Sequence, residues 1–114
     1  MDREKLETLL QTKLKAELDH FREQTLRKNR EEIYNSAYEI ESVTQIYQVL
    51  CVDAKNAGAE SLEALLVFPE LLLFLYGRWL KYEDSQMEDV NYCLNRELED
   101  VISLYRMKKE GRAA

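Results

Sequence analysis

The chain has 114 residues, one domain's worth of sequence, with 46% of them apolar and 33% charged. Acidic residues number 22 and basic ones 16, and the resulting net charge of −6 repels a polyanion, so direct nucleic-acid binding is not expected. Three glycines and one proline are too few for the turns of an all-β fold, and the steady recurrence of Leu, Ile, Val, Phe and Tyr argues against disorder.

The sequence begins Met1-Asp2-Arg3-Glu4-Lys5, a charged start that leads into an amphipathic pattern and not into an apolar signal core. Leu6, Leu10, Leu14, Leu18, Phe21 and Thr25 recur every three or four positions, which predicts a first helix within residues 1–30. Ile33, Ala37, Ile40, Val43, Tyr47, Leu50, Cys51 and Ala54 continue the pattern as a second helix over 31–56, any interruption being expected near Glu41-Ser42. Asn56-Ala57-Gly58 reads as its stop, with the glycine in the left-handed conformation. Ser61 is placed to cap a short helix over 61–68, and Pro69 to open the next helix in its first turn.

Leu72, Tyr76, Trp79, Leu80, Met87, Val90, Leu94, Leu98, Val101 and Tyr105 fall within about a quarter of a helical wheel. Their phase persists through Asp84-Ser85, although Ser85-x-x-Glu88 has the spacing of a capping box. The expectation is one continuous helix over 69–110, on the order of 55–60 Å long over 70–108 at 1.5 Å per residue. The predicted architecture is therefore all-α: a single-domain bundle of three main helices and one short one, with a long C-terminal helix. Part of the long stripe would need a second copy of the chain to cover it, so a homodimer through this helix is one expected assembly.

The residues Glu32-Ile33, Ala37-Tyr38-Glu39, Leu75-Tyr76, Trp79, Met87-Glu88-Asp89 and Cys93 stand in an order that resembles a bacterial domain family of unknown function, common in gut Gram-positive bacteria and their mobile elements. The resemblance covers roughly Leu9 to Ile102, and Ser61–Leu73 is more apolar here than in that family. It implies a small, acidic, helical protein in a mobile-element setting, and it brings no activity, cofactor or substrate.

No catalytic constellation is legible. Nucleophilic catalysis most often pairs its nucleophile with a histidine base, and the one histidine, His20, lies inside an amphipathic helix. Glu17-x-x-His20 has the spacing of a di-metal helical site, but such a site needs a second pair, and the sequence has none. The three glycines stand too far apart for a phosphate loop. Neither enzyme activity nor any cofactor or metal is expected. The apolar stretch from Ala64 to Gly77 is shorter than the roughly 20 residues of a membrane span. Cys51 and Cys93 read as buried thiols of a reducing compartment, so the expected location is cytoplasmic.

Charge is unevenly distributed. Residues 61–105 carry nine acidic and three basic groups, whereas 106–114 carry one and four. On the predicted long helix, Asp84, Glu88, Asn91, Asn95 and Glu99 lie within about 80° of one another, opposite the apolar stripe, and Asp89 and Asp100 flank them. With Tyr92 they form the candidate protein-interaction surface. Carboxylates one turn apart resemble a phosphate backbone to a basic groove, and attraction to such a groove is long-ranged and salt-sensitive. The partner expected is another protein with a basic surface. The function expected is that of a non-enzymatic, mobile-element-encoded module inhibiting a nucleic-acid-processing protein stoichiometrically, in the manner of an anti-CRISPR; the alternative is a homo-oligomeric structural or adaptor module. Tyr34, Tyr38 and Tyr82 lie off the apolar stripes and offer a second contact surface.

Overall fold

The computed structural model describes residues 2–83 and 90–111, and the side chains of all of these except 82, 83 and 90–93. Its described residues form six helices and no strand: α1 (Arg3–Leu26), α2 (Arg30–Asn35), α3 (Ala37–Ala54), α4 (Ala59–Val67), α5 (Leu71–Glu83) and α6 (Val90–Lys109). The all-α expectation holds.

Helix α1 is the centre of the fold and packs on α3, α4 and α5. Its buried residues are Leu6, Leu10, Leu14, Leu18, Phe21 and Thr25, the full periodic set. Thr25 is buried because its hydroxyl donates to the Phe21 carbonyl one turn back at 2.9 Å. Val43, Ile46, Leu50 and Ala54 meet α1 from α3, while Leu62 and Leu65 come from α4. Leu71, Leu72, Leu75 and Trp79 of α5, with Leu94, Leu98 and Val101 of α6, complete the core.

Two side chains of α1 organise the ends of its neighbours. Arg3 donates to the carbonyls of Ala54 (3.0 Å), Lys55 (2.7 Å) and Ala57 (2.7 Å), satisfying the orphan acceptors at the C-terminus of α3 with a cation. Glu17 accepts from the Leu72 backbone N–H at 2.8 Å, placing a carboxylate on the N-terminus of α5. Its other oxygen pairs with Lys13.

The second predicted helix is bent at one residue. Asn29 and Glu32 form a capping box that starts α2, and Ser36, whose hydroxyl bonds the Glu32 carbonyl at 2.8 Å, separates α2 from α3. The interruption thus lies at Ser36 and not at Glu41-Ser42. Gly58 is extended (φ −77°, ψ 166°) and stands at the N-terminus of α4, so it does not supply a left-handed stop. Ser61 lies within α4 and caps nothing, and Pro69 precedes α5, whose first turn closes from the Phe74 N–H to the Glu70 carbonyl.

The single long helix over 69–110 is corrected. Arg78 Nε donates to Glu97 Oε2 at 3.0 Å, yet 19 residues along one helix would separate them by about 28 Å. The longest dimension of the molecule, 48 Å, is also too short for the expected rod. The chain instead turns back, so that α6 lies against both α5 and α4. Ser85 and Glu88, the capping-box pair, lie outside the described residues.

Candidate functional site

Turning back gives α6 an intramolecular neighbour on each side. Glu97, only 2% exposed, pairs with Arg78 of α5; Tyr105 donates to Glu63 of α4 at 2.9 Å, and Arg106 pairs with Glu60. The hydrogen bond to Glu63 is the main reason the Tyr105 phenol is pushed above its ordinary value. Cations in the last turn of α6 are thereby used to dock it, and Lys109 lies 3.8 Å from Glu63.

Between α3, α4 and α6 this packing leaves a cleft of about 350 Å³. Ala54, Leu65, Leu98 and Ile102 give it an apolar floor, while Asp53, Asn56, Ser61, Asn95 and Glu99 supply polar groups. None of those five side chains forms a hydrogen bond or ion pair with another described residue. Partial burial pushes the Asp53 carboxyl above the ordinary aspartate range. An aliphatic floor with two carboxylates and two amides at its rim fits a lysine or arginine side chain, stem inside and cationic head among the oxygens.

Of the predicted interaction residues, Asn95 and Glu99 meet in this cleft, and Asp100 is exposed and does not line it. Asn91 and Tyr92 fall in the first turn of α6 with side chains outside the described ones, and Asp84, Glu88 and Asp89 lie outside the described residues altogether. Asp53, Asn56 and Ser61 were not legible as site residues, because only the packing of α3 and α4 against α6 brings them to it.

The other sequence candidates resolve as follows. Glu17 is committed to Lys13 and to α5, and His20 is exposed. Among the described residues no three potential metal ligands converge. Tyr34 is solvated, whereas Tyr38 is tied to the core edge, its hydroxyl accepting from Trp79 Nε1 at 3.2 Å. The Tyr82 side chain lies outside the described ones. Cys51 is half-buried and free, and the Cys93 side chain lies outside the described ones. No described helix is long and apolar enough to cross a membrane. No family model, curated protein or solved structure matches this chain.

Proposed function

We propose that the chain is a non-enzymatic protein-binding module that receives basic side chains of a partner in the α3–α4–α6 cleft and along the exposed acids of α6. In its sharper form the proposal is stoichiometric inhibition: the module occupies the basic groove of a nucleic-acid-processing protein and keeps the polyanion out. The observation that carries the reading is the set of five uncommitted polar groups converging over an apolar floor, two of them carboxylates. The mobile-element setting implied by the family resemblance suits an inhibitor encoded against a host or rival system.

The test is capture of partners from a bacterial lysate on immobilised protein, with wild type compared with Glu99→Lys and with Asp53→Lys. Captured proteins are expected to be nucleic-acid binders, to be released by raised salt and by heparin, and to be lost in both variants while helicity is unchanged. Capture indifferent to salt and to both variants overturns the proposal. The homo-oligomeric alternative was expected through the stripe of a single long helix, and that surface is not available, because Leu72, Trp79, Leu94, Leu98 and Val101 are buried within one chain.

A further inference from the structure

Helix α5 is apolar on both sides. Leu71, Leu72, Leu75 and Trp79 face the core, and the opposite side presents Leu73 (43% exposed), Phe74 (37%), Gly77, Leu80 (38%) and Lys81, with Glu70 at its N-terminal end. On a wheel centred on Gly77 these six residues lie within about 60° of the centre, Leu73 and Leu80 on one flank, Glu70, Phe74 and Lys81 on the other. Phe74 leans on Phe68, with ring centroids 4.7 Å apart, and so is held in place.

Two choices on this face are unfavourable within the chain. Gly77 sits in mid-helix although a Cβ there would meet nothing within 4 Å, so alanine would fit and would favour the helix. Glu70 holds φ +48°, a left-handed conformation that glycine adopts without strain. Neither choice has an explanation in the intramolecular contacts. Both acquire one when the face is set against itself.

We propose that α5 is a self-association surface, with two copies pairing antiparallel about a two-fold axis that passes between residues 75 and 76. This register sets Phe74 of one copy over the notch at Gly77 of the other. It also sets Leu73 beside Leu80 on one flank and Glu70 beside Lys81 on the other, each contact made twice. Charges of opposite sign at the two ends select the antiparallel arrangement, and the small residue lets the helix backbones approach. A single helix face is smaller than the roughly 800 Å² per partner of a standard interface, so the dimer is weak and concentration-dependent. The surface is separate from the α3–α4–α6 cleft, so the two proposals fail independently.

The test is the mass in solution by sedimentation over a concentration series at low salt. Wild type is expected to shift from monomer to dimer. Gly77→Glu is expected to remain monomeric at every concentration, with helicity and melting temperature retained or raised. Glu70→Lys and Lys81→Glu each raise the dissociation constant about tenfold, and an equimolar mixture of the two forms a heterodimer as tight as the wild-type dimer. A wild type that stays monomeric to about 1 mM overturns the proposal, as does a dimer that survives Gly77→Glu or a mixture that fails to restore association.

Discussion

Arg3 shows how much of this fold rests on single polar side chains. Its guanidinium reaches three carbonyls at the end of α3 from the first residue of α1, joining segments more than 50 positions apart. Lysine carries the same charge but lacks the fork that serves three acceptors. Arg3→Ala is expected to cost about 1.5–2 kcal/mol, lowering the melting temperature by roughly 6–8 °C, and Arg3→Lys to recover less than half of that. The Arg78–Glu97 pair works in the opposite sense, because its acid is buried while its base is part-exposed. Arg78 ties that acid to α5, so Arg78→Ala is expected to destabilise by about 1 kcal/mol in chemical denaturation. A sequence reading passes over both residues. Arg3 is an ordinary polar position in a first turn, and Glu97 sits at the edge of an apolar stripe, where the chain reversal is needed to bring Arg78 to it.

At the scale of elements, α1 was fully legible because a single uninterrupted spacing sets both its period and its buried face. The reversal between α5 and α6 was not. A helical wheel records angle and discards axial position, so two helices that fold back on one core both keep their apolar sides inward and imitate one continuous stripe. The mismatch between a rod of about 58 Å and a domain of this size was the available warning, together with the Ser85-x-x-Glu88 spacing. The short connections were misread for a related reason. Gly58 and Pro69 both mark boundaries: Gly58 belongs to the helix that follows, as its N-terminal cap, and Pro69 stands one residue before the cap of α5 and not in its first turn. Gly77 gives the test at this scale. Gly77→Ala is expected to raise the stability of the monomer by about 0.8 kcal/mol, read as a shift of the urea midpoint at low protein concentration with unchanged slope.

For the whole molecule, the proposed binding at the cleft implies that stability and affinity depend on pH with opposite signs, both through Asp53. Its carboxyl is raised above the ordinary value of 3.8 by partial burial, so the folded protein holds this proton more tightly than the unfolded chain does. The contribution of Asp53 to stability is therefore fully present below 3.8 and is lost as pH rises through the folded value. At neutral pH the ionised group is a cost, and Asp53→Asn is expected to stabilise the fold there and to make no difference at low pH. A cationic side chain in the cleft needs the ionised form, so affinity runs the other way. It is expected to fall as pH is lowered toward the raised value of Asp53, sooner than carboxylates of ordinary pKa would produce, and to be weak and nearly independent of pH over that range in Asp53→Asn. Measuring melting temperature and partner affinity over one pH series separates the two effects. A wild type whose affinity is as flat as the variant's places the cation elsewhere on the surface, whereas opposing slopes in wild type that vanish together in Asp53→Asn locate it at the junction of α3, α4 and α6.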